Sequence, residues 1–131
     1  MKYWVASSNR ENSEIADKNL VWGIPKRNKN LYERVDPGDR FLMYVRMEHE
    51  GDTILPSAIS GAYQIEEKFE EMKAIFSVPS HMGDERFPYR FKIKRLSIFH
   101  PPIEFKPLID SLSFITNKKM WSGHLRIAMR E

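Results

Sequence analysis

The chain of 131 residues has no cysteine and a single glutamine, Gln64. Without thiols there can be no disulfide framework, no thiolate nucleophile and no cysteine zinc site. Histidine is sparse: His49, His81, His100 and His124 lack the short spacings that put two ligands on one helix face. No metal and no cofactor is therefore expected. No apolar run approaches the roughly 20 residues that a membrane-spanning helix needs, and Met1-Lys2 leads into an apolar stretch with no signal-peptide pattern. A soluble cytoplasmic protein without a membrane partner is expected. Catalytic signatures are missing as well. The chain has no G-x-S-x-G elbow, Walker loop, Rossmann glycine series or H-E-x-x-H, so no catalytic residue is assigned and the chain reads as a binding domain.

What is present is globular. Hydrophobic residues make up 41% and aromatics 12% of the chain, enough for one domain over residues 1–131 that buries about two thirds of its unfolded surface. No repeat or linker interrupts it, and a monomer is favoured. The formal charge is only +3, but residues 48–71 hold seven acids and one lysine, whereas residues 86–106 hold six bases and one acid. A basic zone set apart from an acidic one suits a polyanion docking on one side, and suits equally a pair of solvated faces.

Along the chain, Tyr3-Trp4-Val5-Ala6 reads as a first strand, and Ser8-x-x-Glu11 as a capping box that starts a helix near Asn9. Glu11, Glu14 and Asp17 complement the helix dipole, Gly23 and Pro25 end the segment, and Trp22 is left on a loop. A basic entry, Lys26, Arg27 and Lys29, precedes a short helix with Leu31, Tyr32 and Val35 on one edge. Asp36-Pro37-Gly38-Asp39 is a turn before the continuous apolar run Phe41–Val45, expected to be buried on both faces. Ser57–Ile65 reads as a strand bent at Gly61, and Lys73–Val78 as another strand. Tyr89–Lys94 alternates apolar side chains with Arg90, Lys92 and Lys94, so its outer face should be a basic stripe, with a bulge at Arg95 where the phase slips. The proline-rich stretch His100–Pro107 should break the sheet, and a short helix follows it. Lys118, Lys119, Trp121 and Arg126 set an aromatic among bases, which suits nucleic-acid contact and equally a tryptophan lid over a core edge. Strands mixed with short helices and a bulged, curving strand give an α+β class, a small mixed β-barrel capped by helices.

The stretch Ser8–Pro25, with a Ser-Asn turn, a helix and Trp22, resembles the opening of the EVE domain and of its relative the YTH domain, both PUA-like folds. Pro37-Gly38-Asp39, the Phe91-Lys92-Ile93 strand and the Trp121 region extend that resemblance over nearly the whole chain. Asn12 and Trp22 are ten residues apart, as are an asparagine and the pocket tryptophan in the YTH pattern. EVE domains usually carry a further acidic and aromatic tail beyond the point matching Arg126, and the sequence leaves open whether the chain is truncated there.

The resemblance implies a definite site. Trp22 would stack on one face of a base, with Phe76, Phe87 or Tyr89 closing the other, while Ser8 and Asn12 meet the base edge. Gly23 replaces a small polar residue of the YTH pattern, so any contact there must come from backbone. Trp22 is thus expected to line an open cavity with Ser8, Asn12 and at least one of the three aromatics. The leading partner is nucleic acid, single-stranded or with a flipped, modified base, in DNA or RNA. Its phosphates would meet Lys26, Arg27, Lys29, Arg90, Lys92, Lys94, Lys118, Lys119 and Arg126. Two alternatives stand beside it: a nucleoside-like small-molecule binder or enzyme, and a PUA-like RNA-binding module without a base pocket.

Overall fold

A computed structural model describes residues 1–78, 83, 85–111 and 129–130. The candidates Lys118, Lys119, Trp121 and Arg126 lie outside the described residues. The elements run β1 (Tyr3–Ser8), α1 (Arg10–Asn19), β2 (Val21–Ile24), α2 (Lys29–Arg34), β3 (Arg40–Val45), β4 (Glu48–Glu50), β5 (Thr53–Leu55), β6 (Ala58–Glu70), β7 (Tyr89–Glu104) and β8 (Met129–Arg130), with 3-10 turns at Lys26–Asn28 and Lys106–Ser111. Six strands form one mixed sheet in the order β2-β7-β6-β3-β1-β8, and β4 and β5 make a separate hairpin. Among the described residues only β1 and β3 pair in parallel; the helices α1 and α2 lie between them in the chain. The class is α+β and barrel-like, and among the described residues the edge strands β2 and β8 do not pair with each other.

Period-2 alternation puts the main core on one face of this sheet. Trp4 and Ala6 of β1, Trp22 and Ile24 of β2, Phe41, Met43 and Val45 of β3, Tyr63 and Ile65 of β6, and Phe91 and Ile93 of β7 pack there with Ala16 of α1 and Leu31 of α2. A smaller cluster of Tyr44, Ile59 and Phe105 gathers elsewhere, flanked by Val5, Phe99 and Leu108.

Several local expectations shift. The cap of α1 is Asn9, not Ser8: its carboxamide oxygen accepts the Asn12 N–H at 2.7 Å, while the Ser8 hydroxyl donates to the Asn9 carbonyl. Asparagine caps as well as serine, so the box moves on by one residue. The helix ends at Leu20, held at φ 54°, and the chain turns at once into β2, so Trp22 sits on an edge strand and not on a loop. Strand β3 is less buried than expected, Leu42 being 38% exposed. Lys73–Val78 is irregular, and β7 runs on through the prolines to Glu104, across a cis His100-Pro101 bond. Both expected bulges are present, since the β6–β7 register shifts next to Gly61 and again where Ala62 faces Ser97 and Tyr63 faces Arg95; further shifts between Ile65 and Glu67 and between Met43 and Tyr44 were not expected.

Asp39 is structural. Its carboxylate is 2% exposed and accepts the backbone N–H groups of Lys2 and Asp36 at 2.8 and 2.9 Å and the Trp4 indole N–H at 3.0 Å. Burial opposes its ionisation, but these donors and the Lys2 ammonium outweigh it and hold the carboxyl below its ordinary value. The linkage sign follows: the stabilisation is fully present above the ordinary carboxylate range and is lost as pH falls through the depressed folded value. Asp39→Ala leaves three donors short of an acceptor, the Trp4 indole among them buried, and is expected to cost roughly 3 kcal/mol in urea unfolding at neutral pH. The penalty should shrink as pH falls through the depressed folded value, below which the parent's carboxylate is protonated as well.

Candidate functional site

Five of the sequence-selected residues meet at the open edge of β2. Asn12, in the first turn of α1, uses both ends of its carboxamide on one residue: Nδ2 donates to the Ser77 carbonyl at 2.9 Å and Oδ1 accepts the Ser77 N–H at 2.7 Å. The Phe76 ring next to Ser77 meets Trp22 edge-on, with centroids 6.0 Å apart and planes at 74°. Phe87 meets Phe76 the same way at 5.8 Å. Gly23 makes room for both rings, since a Cβ there would lie 2.8 Å from Phe76 Cε2 and 3.0 Å from Phe87 Cβ. Its role is thus close approach, which a strand glycine often marks. Ser8 is buried nearby at the start of α1, its hydroxyl spent on the Asn9 carbonyl. Tyr89 is not part of the group, for it stacks on Tyr32 at 5.0 Å and 28°.

Among the described residues Trp22 lines no open cavity. Trp22 is 5% exposed and belongs to the main core. A base sandwiched between two rings needs about 7 Å between parallel planes, twice a van der Waals contact, and a ring crossing at 74° fills that space. The physical reason is the irregular path of residues 73–78, which as a strand would have stayed in the sheet and instead folds over β2. One mark of incompleteness remains. The Trp22 indole N–H is buried and has no acceptor among the described residues, although buried indole donors are usually satisfied.

Arg90 corrects the expectation of a basic stripe. Its side chain is 2% exposed, and its guanidinium donates to the Phe87 carbonyl at 3.1 Å, to the Arg86 carbonyl at 3.1 Å and to the Lys73 carbonyl. Burial lowers its pKa and Glu71, 3.8 Å away, raises it, with a net downward shift. A buried guanidinium engaged on carbonyls cannot reach phosphate. It ties together the two segments that carry Phe76 and Phe87. Alternation alone placed it outward, and nothing in the sequence marked those carbonyls as its partners. Phe87 is itself held at φ 50°, its N–H donating to Glu85 at 3.0 Å; a phenylalanine in the left-handed region costs about 1 kcal/mol or more.

The remaining cations stay outside. Lys26, Arg27, Lys29, Lys92 and Lys94 are exposed, and none of their side chains forms an ion pair among the described residues. Lys92 and Lys94 share with Arg90 one face of β7, at roughly 7 and 13 Å along the strand. Beside them lies a cleft of about 670 Å³ with an apolar floor of Leu20, Val21, Phe69 and Ile93. Its other wall carries Glu66 and Glu67, and Glu67 faces Lys92 across the strand pair. The acidic and basic runs are thus partly interleaved in neighbouring strands, not segregated as the sequence suggested.

A second network escaped sequence reasoning because its members are remote in the chain. Asp17 of α1 accepts the Tyr63 hydroxyl at 2.9 Å and the Arg95 Nε at 2.8 Å, and its carbonyl accepts Arg95 Nη2. Burial raises the Tyr63 pKa, and the adjacent carboxylate raises it further; Asp17 resists its own burial through these two donors and is shifted down. The pair pins α1 to the bulge in β7, so Asn12 stands on a fixed helix.

The EVE domain profile matches residues 2–131. The chain belongs to the EVE domain family. It is 45% identical over 134 residues to UPF0310 protein PH1033 of Pyrococcus horikoshii, covering 100% of this chain and 90% of that one. Among solved structures, a protein from Pseudomonas putida superposes with a TM-score of 0.61 at 15% identity, covering 98% of this chain and 89% of its own. The YTH domain-containing protein mmi1, solved with RNA, gives 0.58 at 13% identity, over 87% of this chain and 65% of the other. At such identities the EVE chain shares the YTH fold, and the fold alone.

Within this EVE domain Gly23 can be tested directly. Gly23→Ala forces the Phe76 and Phe87 segment away from β2, with an expected loss of about 1 to 3 kcal/mol in chemical unfolding. Trp22 fluorescence should become easier for acrylamide to quench.

Proposed function

We propose that this EVE domain is a non-catalytic reader of nucleic acid that takes a modified base at Trp22. The observation that carries the reading is the buried, partnerless indole N–H of Trp22 within a group of Phe76, Phe87 and Asn12. Aromatic faces, an amide able both to donate and to accept, and a spare donor are the means by which a flat heterocycle is bound. The mmi1 YTH domain, solved with RNA, lends the partner class its support. Phosphates on either side of the base would meet Lys26, Arg27, Lys29, Lys92 and Lys94, which are exposed; Arg90 is withdrawn from that set.

Magnitudes limit the chemistry. Stacking gives roughly 1 to 3 kcal/mol per base and does not choose among bases. A buried methyl adds about 0.8 kcal/mol, close to a fourfold preference. Stronger selection needs a hydrogen bond from Asn12 or the indole that forms only when the modification sets the position of the base. Extrusion from a duplex costs a few kcal/mol, so single strands or weakened pairs should bind better. The closed state of Trp22 favours one competing reading, an RNA-binding module that uses its exposed cations and no base pocket.

Calorimetry with methylated and hydroxymethylated single strands at several salt concentrations tests the proposal. Binding should favour a modified strand and weaken with salt, and Lys92→Glu with Lys94→Glu should reduce the slope by about one unit per lost phosphate contact, for all sequences alike. Equal affinity for modified and unmodified strands would leave the backbone-reading module standing. Binding of free nucleosides without salt dependence would point to a small-molecule protein.

A further inference from the structure

The segment that closes the Trp22 site fills it with the two kinds of group that a base would bring, an aromatic ring, here set edge-on and not stacked, and a donor beside an acceptor. Phe76 sets a flat aromatic ring against Trp22. The next residue, Ser77, offers an N–H and a C=O from one backbone unit, and the Asn12 carboxamide pairs with both at 2.7 and 2.9 Å. A ring against tryptophan, with a neighbouring donor and acceptor paired to an asparagine, is the outline of a heterocycle with a hydrogen-bonding edge. We infer that Phe76-Ser77 is an internal ligand of the Trp22 site, which an external planar heterocycle with a donor beside an acceptor must displace. This rests on the nucleobase reading given above and adds to it what occupies the site before binding.

Three observations support exchange over permanent packing. The internal ligand leaves one contact unmade, the Trp22 indole N–H, which is buried and lacks an acceptor; an entering base can bring a carbonyl or ring nitrogen to it. The segment is irregular, with residues 71–74 exposed, so its departure breaks no strand pairing. Among the described residues its polar tethers are local: Asn12 holds Ser77, Arg90 holds the Lys73 carbonyl and pairs with Glu71, and the Glu71 N–H donates to the Pro88 carbonyl, while the Phe76 ring packs on Trp22, Phe87 and the Arg90 guanidinium. Arg90 also keeps the Phe87 carbonyl, so Phe87 can stay in place while Phe76 swings out. Exposing the Phe76 ring to water opposes opening, and this is the barrier that a ligand's own stacking offsets.

The expectation is quantitative. A site occupied by its own chain binds an outside ligand more weakly by the fraction of time that it is open. Phe76→Ala removes the internal ring and should tighten binding of the best modified single strand by about tenfold, with a faster association rate. Ser77→Pro deletes the N–H that Asn12 accepts and should give a smaller gain in the same direction. In the absence of any strand, both variants should show increased acrylamide quenching of Trp22, measured in a Trp4→Phe, Trp121→Phe background and compared with the parent in the same background. Cooperative thermal unfolding of each variant shows that the fold is retained. Equal or weaker binding by Phe76→Ala, with binding by the parent intact, makes Phe76 an ordinary wall and overturns the inference alone. If neither parent nor variants bind any strand, the nucleobase reading fails and the inference fails with it.

Discussion

The Arg90 guanidinium is the interaction on which the site depends. A cation that is almost fully buried must find acceptors, and Arg90 finds them in the carbonyls of Lys73, Arg86 and Phe87. Two irregular stretches, before and after the residues that link them, are thereby drawn to the same point on β7. One brings Phe76, the other Phe87, and both close on the glycine and tryptophan of β2. Asn12 at Ser77 and a backbone bond from the Glu71 N–H to the Pro88 carbonyl at 2.9 Å add to that hold. Gly23 is the matching requirement on the other side, because any side chain there would occupy the place of the two rings.

The opposite wall is fixed by other means. Helix α1 is capped by Asn9 at its start and pinned near its end by Asp17, Tyr63 and Arg95. Asn12 therefore presents its carboxamide from a rigid element, whereas Ser77, which it holds, belongs to an irregular one. A rigid reader facing an irregular partner is the arrangement in which a ligand can replace the partner at modest cost.

Much of this was legible in the sequence, for identifiable reasons. Strong alternation gave β7 and its bulge at Arg95, the Asp-Pro-Gly-Asp turn placed Asp39 before β3, and the resemblance to the YTH pattern picked out Asn12 and Trp22, which touch the adjacent residues Ser77 and Phe76. What misled was local pattern overridden by tertiary contacts. Lys73–Val78 has the composition of a strand, but its partners are an asparagine and an arginine far away in the chain. Arg90 alternates in phase with Lys92 and Lys94, yet only it lies beneath two folded-over segments. Trp22 was placed on a loop because Gly23 looked like a helix stop, while Leu20 took the left-handed position and let β2 begin early. The prolines after His100 failed to end β7, whose last residues pair with β6 through Ala58 and Ile59.

The central claim is that Trp22 is the point of ligand contact and that its indole N–H awaits an acceptor. Nitrogen-15 labelling of the tryptophans reads that atom directly, and Trp4 provides an internal control because its own N–H is already committed to Asp39 at 3.0 Å. On titration with a modified single strand, the account predicts a large downfield shift of the Trp22 indole proton as it gains an acceptor, with the Trp4 resonance unmoved. A Trp22 resonance that stays in place at saturating strand, while backbone amides around Lys92 and Lys94 shift, would contradict it.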